Sequence, residues 1–247
     1  MPTVDLNCDL GEGCGNDAEL MPLITSANIA CGGHAGDAET MRATVQLALQ
    51  NEVAIGAHPG YPDQENFGRI EHDISHEELF DEIVAQVSAL RDICREADTE
   101  LSHVKPHGAL YNLSARDAET ARLIANAVAA VDHELVLFGL AGSHSLSEAE
   151  RAGLRTASEV FGDRSYQPDG SLTPRSRLGA LIESPEIAAA QVLEMVMNGQ
   201  VTSMSGEPVP VRADTICLHG DGAFAPAFAM VIRDALRLAG VEIEAPR

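Results

Sequence analysis

His103-Val104-Lys105-Pro106-His107-Gly108-Ala109-Leu110-Tyr111-Asn112 opens as a short strand and breaks at Pro106, with a lysine on one side and a histidine on the other. Lys105 is the only lysine among 247 residues; the other positive charges rest on 15 arginines. One amine kept in the most histidine-dense stretch points to a use beyond solubility. Taken alone, a structural ion pair at a strand end explains it equally well. The fold is decided by whether other strands also run straight into ionisable tips.

They do. Residues 4–9 read as a strand leading through Asn7 and Asp9 to Glu12, and 27–31 lead through Gly32 and Gly33 to His34 and Asp37. Residues 53–58 end in His58, 156–161 meet Glu159, Asp163 and Arg164, and 215–219 end in His219 before Asp221. Only 135–138, bounded by Gly139, lacks such a tip. Helices are expected at 38–50, from the capping box Ser75-x-x-Glu78 to about 97, and from a Ser114 cap to about 131. Further helices are expected from Ser147, from Ser184-Pro185 to 198, and over 225–238. Alternating strands and helices mean a parallel sheet. A barrel brings every strand end to one mouth, whereas an open sheet brings together only those beside its switch point. The expectation is an α/β, TIM-like parallel barrel of seven strands, forming one domain over 1–247.

Composition narrows the function. Apolar residues make up 45% but aromatics only 4%, with no Trp, so the core must be Ala, Val, Leu and Ile. A formal charge of −22 repels nucleic acid and anionic membranes, so neither is expected as a partner. Strong acidity with one lysine also suits a salty cytoplasm. No apolar leader or membrane-length run is present, so a soluble, cytoplasmic protein is expected. Five cysteines without a CxxC pair read as reduced, mostly buried thiols. The sole lysine precedes Pro, which excludes a P-loop for nucleotide.

Asn7, Asp9 and Glu12 put an amide and two carboxylates within six residues, deliverable to one point by the glycines that flank Glu12. Asp37 reads better as an N-cap than as a site residue. Asp9, His58 and His107 could together hold a divalent metal with positions open to water. Lys105 could act as a base if burial lowers its pKa, or hold an anion if it stays charged. Arg69 and Arg164 are the best anchors for a substrate carboxylate. The punctuated loop 60–69 suits a lid or binding loop. His72, His76, His133 and His144 read as surface residues.

In this order, the blocks 5–12, 27–37, 56–63, 67–69, 103–112, 159–166 and 217–221 resemble the LamB/YcsF family over nearly the whole chain. Gly33 and Ile70 depart from it, standing where a bulky residue and a second Arg are usual. The resemblance implies a distorted (β/α)7 barrel related to glycoside hydrolase and deacetylase barrels. It also implies ATP-coupled cleavage of 5-oxo-L-proline to L-glutamate, ADP and phosphate as the co-products, and 5-oxoprolinase subunits B and C as partners. In the deacetylase barrels one Asp and two His hold a divalent ion, and Asp9, His58 and His107 are the positions here that could match. On this reading Asp9 or Glu12 activates water, and Lys105 or His107 stabilises developing charge. Asn7, His34, Arg69, Glu159, Arg164, His219 and Asp221 contact substrate, and ATP is a co-substrate that partner subunits could bind. The alternatives are a stand-alone divalent-metal-dependent deacetylase or amidohydrolase, and a non-catalytic subunit that binds a small acid.

Overall fold

The computed structural model describes residues 1–218 and 225–246. In chain order the strands are β1 (Thr3–Leu10), β2 (Ser26–Ala30), β3 (Ala54–His58), β4 (His103–Val104), β5 (Val136–Leu140), β6 (Arg155–Phe161), β7 (Gln200–Thr202), β8 (Pro208–Pro210), β9 (Thr215–Leu218) and β10 (Glu242–Ile243). The helices are α1 (Asp17–Leu20), α2 (Ala38–Gln50), α3 (His76–Glu96), α4 (Gly108–Arg116), α5 (Ala118–Val131), α6 (His144–Arg151), α7 (Pro185–Asn198) and α8 (Ala225–Leu238). Strands β1 to β6 pair in sequence order, all parallel, and β9 pairs with both β6 and β1. The result is a closed barrel of seven parallel strands with flanking helices, as the alternation predicts. Strand β10 lies parallel to the start of β1, and β7 with β8 form an antiparallel hairpin.

The period of two along β1 sorts its residues. Leu6, Cys8 and Leu10 join the apolar layer under the helices, while Asp5, Asn7 and Asp9 meet polar partners across the barrel. Against the outside of the sheet pack Leu79, Ile83, Val87 and Leu90 of α3, Ile124 and Val128 of α5, and Ile232 and Leu236 of α8. Each such side chain contributes about 1.5–3 kcal/mol by leaving water.

The interior is a hydrogen-bonded lattice. Register aligns Asn28, Gly56 and His103 on adjacent strands. Gly56 has no side chain, so the His103 ring crosses its strand and Nε2 meets Asn28 Oδ1 at 2.9 Å. A Cβ on Gly56 would stand 2.0 Å from that nitrogen. Below, Thr215 donates to Asp5 and accepts from Asn7 Nδ2 at 2.6 Å. Burial pushes the Asp5 carboxyl up to about 6, against the hydrogen bonds from Thr215, Thr25 and Ser26.

Two expected helix starts shift. Helix α4 already begins at Gly108, and Asp117, not Ser114, caps α5 by accepting from Thr120 N at 2.8 Å. The Ser114 hydroxyl instead donates to Tyr111 O within α4. Helix α6 begins at His144, so Ser147 lies inside it. The capping box of Ser75 and Glu78 and the Ser184 cap both form as expected. No described helix is long and apolar enough to cross a membrane. The described cysteines carry no disulfide; Cys14 is exposed and the other four are buried.

Candidate active site

Asp9 comes from β1, Glu12 from the turn after it, and His58 from the last position of β3. Lys105 continues β4 by one ladder bond, its N–H donating to Ala57 O at 2.9 Å, and His107 precedes α4. These residues line one side of a cavity of about 640 Å³. Arg69, Arg116, Arg164 and Arg175 also line it, so arginine gathers here in a chain of charge −22.

Lys105 is 2% exposed. Its Nζ donates to Asp9 Oδ1 at 2.9 Å, Asn7 Oδ1 at 3.3 Å and Cys217 Sγ at 2.9 Å, and pairs with Glu159 Oε1 at 3.0 Å. Burial opposes the ammonium, but Asp9 and Glu159 outweigh it and hold its pKa well above the usual lysine value. Of the two roles open to this lysine, the structure supports the charged one. Burial keeps Cys217 a neutral thiol. Asn28 Nδ2 reinforces the arrangement with bonds to Asn7 Oδ1 and Asp9 Oδ1 at 2.8 and 2.9 Å.

Beside the lysine, one donor atom each from Glu12, His34, His58 and His107 lie within 4.8 Å of one another, a group that could hold a divalent metal ion. Expected from sequence was Asp9 with His58 and His107; here Glu12 and His34 join the histidines, and Asp9 Oδ2 stands 3.5 Å from His58 Nε2. Burial and the neighbouring His58 push His34 down to about 3 and His107 lower still. His58 moves up, since Asp9 outweighs its burial.

Loop 60–69 fastens this cluster. Gln86 of α3 clamps Gly60 through its N–H and carbonyl, and the Phe67 carbonyl accepts from His107 Nε2 at 2.9 Å. Gly68, at φ 60°, lets the loop lie against His34; a Cβ there would meet the His34 Cβ at 2.8 Å. The loop is a fixed wall around the histidines.

The other expected residues divide by position. Asn7 and Glu159 lie beneath Lys105, at 0% exposure, and His34 lies behind Glu12, so none of the three lines the cavity. Arg164 is buried on the cavity wall, donating to Thr173 O at 2.6 Å and Ala180 O at 3.4 Å. Its pKa is lowered by burial and by Arg175. Arg69 is exposed, with Cζ 4.9 Å from the centre of the Phe67 ring. Asp37 caps α2 through Thr40 N. His72, His76, His133 and His144 are exposed, His72 meeting Asp63 at 2.9 Å. His219 and Asp221 lie outside the described residues. Residue-by-residue reading missed Asn28, Cys217, Tyr111 and Phe161. For Asn28 the signal was available: it is an amide set inside the otherwise apolar stretch Ala27-Asn28-Ile29-Ala30.

Comparison with known proteins fits this geometry. The profile of the LamB/YcsF family matches residues 4–247. The chain is 53% identical to a protein from Tolumonas auensis named as the A subunit of 5-oxoprolinase, over 99% of this chain and 100% of the relative. It is 55% identical to the protein of the same name from Erwinia tasmaniensis, over 97% and 98%. The crystal structure titled lactam utilization protein, from Thermus thermophilus, superposes with a TM-score of 0.93 at 46% identity, covering 99% of this chain and 100% of that one. Deacetylase and glycoside hydrolase barrels match at far lower identity, a likeness of fold alone.

Proposed function

The chain belongs to the LamB/YcsF family, and from that premise we propose that it is the A subunit of an ATP-dependent 5-oxoprolinase, the barrel in which the activated lactam opens to L-glutamate. A lactam resists neutral water because amide resonance must be broken on attack. Phosphorylating its oxygen at the expense of ATP makes the ring carbon electrophilic, so that water adds there, the ring C–N bond breaks as nitrogen takes a proton, and a second water releases the phosphate. Without a lysine-bearing phosphate loop, this chain is better suited to the ring-opening half, with ATP handled by partner subunits B and C. Such a reaction belongs in the cytoplasm, where ATP is available.

The observation that carries this reading is Lys105, a buried ammonium kept charged at the edge of the cavity. There it stabilises negative charge that develops as water attacks the ring carbon. Glu12 and Asp9 are the bases for that water. Glu12, His34, His58 and His107 would hold a divalent cation, which would supply Lewis acidity toward water and a carbonyl. Arg164, its guanidinium fixed by two backbone carbonyls, and Arg69, on the wall near His107, are the anchors for the substrate carboxylate. Asn7 and Glu159 act from below by orienting the lysine.

The test is glutamate release from 5-oxoproline, with and without ATP and both partner subunits. Glutamate is expected only when every component is present; none under any combination overturns the proposal. The Glu12 and histidine group also favours a second reading, a stand-alone metal-dependent deacetylase or amidohydrolase. Amide cleavage by this chain alone, abolished by chelator, would select that reading.

A further inference from the structure

Once water has added to the activated carbon, the ring nitrogen must take a proton as its bond to that carbon breaks. The amine and the two histidines on the cavity wall have their N–H groups committed elsewhere. Lys105 donates to Asp9, Asn7 and Cys217 and pairs with Glu159. A backbone carbonyl only accepts, so His58 gives its Nδ1–H to Lys105 O and His107 its Nε2–H to Phe67 O.

Tyr111 differs from all three. It lies in the first turn of α4, lines the cavity with Lys105 and Phe161, and is 5% exposed. Its ring stands edge-on to Phe161, with 5.8 Å between centroids and 82° between planes, so packing fixes where the phenol points. Yet Oη is buried and has no hydrogen-bond partner among the described residues. Leaving a buried hydroxyl unpaired is costly, and in the wall of a cavity the acceptor it lacks is one that a ligand can supply. Glu159 comes close without completing a bond: its Oε1 is taken by Asn7 and Lys105, and its Oε2 also has no partner. Burial, then the charge and proximity of this carboxylate, hold the phenol well above the ordinary tyrosine pKa, so Oη keeps its proton until a strong base meets it.

We propose that Tyr111 is a catalytic residue, the proton donor to the ring nitrogen as the lactam opens. This assignment rests on the 5-oxoprolinase reading above. In the tetrahedral species the ring C–N bond breaks, its electron pair stays on nitrogen, and the Oη–H bond breaks to give nitrogen the proton. The hydroxyl that came from water loses its own proton as the new C=O forms, and that proton restores the phenol. The products are an amine and an acyl phosphate, and nothing is oxidised or reduced. A nitrogen expelled from carbon is a far stronger base than a phenolate, so a phenol of raised pKa still delivers its proton there. The same phenol does not lose it to the carboxylates of the site between turnovers.

The experiment combines the full-length chain with both partner subunits and ATP, and follows glutamate and ADP formed from 5-oxoproline by wild type and Tyr111→Phe. The substitution removes one atom that bonds nothing in the protein, so the unfolding midpoint is expected to match wild type. Glutamate formation should fall about 10²–10⁴-fold with KM held within about twofold, while 5-oxoproline-dependent ADP formation continues, because activation precedes ring opening. Replacing Tyr111 by 3-fluorotyrosine puts an O–H back in the same place and should recover most of the lost glutamate. Glutamate formation by Tyr111→Phe within about a factor of two of wild type overturns the assignment. So does a loss that 3-fluorotyrosine leaves unrepaired, or one carried by KM alone, which would make the phenol a binding group. No glutamate from the wild-type assembly sinks the 5-oxoprolinase reading and this assignment with it; equal glutamate from wild type and Tyr111→Phe sinks this assignment alone.

Discussion

Lys105 Nζ stands 2.9 Å from Asp9 Oδ1 and 3.0 Å from Glu159 Oε1, so one buried cation is shared by two carboxylates on strands far apart in the chain. Removing the amine leaves both acids uncompensated. Lys105→Met is therefore expected to lose turnover and about 3–5 kcal/mol of stability. Adding Glu159→Gln should restore part of the stability, read by urea unfolding, and none of the turnover. Full activity in either protein removes the lysine from the chemistry.

Glu12 sits at the turn after β1 with a nearly buried side chain against His34. Glu12→Gln keeps the shape and removes the charge and basicity. The single-turnover rate of glutamate formation should fall about 10²–10⁴-fold with little change in unfolding midpoint. A rate within a factor of two of wild type would assign the base elsewhere.

Gly56 gives the His103 ring its passage to Asn28, and the space is already filled. Gly56→Ala should cost roughly 1–3 kcal/mol through overpacking. The denaturant midpoint reports the loss. Wild-type stability would mean that the ring is free to move aside.

Asp5 supplies a pH dependence whose sign follows from its raised pKa. An acid that binds its proton more tightly when folded stabilises the fold fully below its unfolded value, near 3.8, and that benefit is lost as pH rises through about 6. The difference is roughly 3 kcal/mol. Stability relative to Asp5→Asn should accordingly decline between about pH 4 and 6 and level off above. A flat difference across that window would show that Asp5 titrates normally.

Arg69 is exposed on the cavity wall, so its removal tests recognition. Arg69→Gln is expected to raise KM for 5-oxoproline about 10–100-fold, the worth of a charged hydrogen bond, with kcat nearly constant. An unchanged KM would leave Arg164 as the anchor.

The barrel was legible because an alternation of strands and helices, with ionisable tips on most strands, admits few other architectures. The same tips named Asp9, Glu12, His58, Lys105 and His107, which the fold brings together. What lay beyond sequence was register. Asn28 supports Asp9 because β1 and β2 place them side by side, and Cys217 meets Lys105 because β9 seals against β1. Local spacing carries neither fact. Nor could it show that Ser114 turns its hydroxyl back to Tyr111 inside a helix, since serine serves equally as a cap or as an interior residue.

Strand β9 is inserted between β1 and β6, and Asn7 bonds Thr215 across 208 positions. Synthesis must therefore reach β9 before the cylinder can be sealed. Until then β1 and β6 are raw edges, the kind of exposed backbone that recruits other nascent chains. A ribosome stalled just short of β9 holds a polypeptide with every barrel strand but the one that closes it, and for this protein the risk of aggregation is concentrated in that interval.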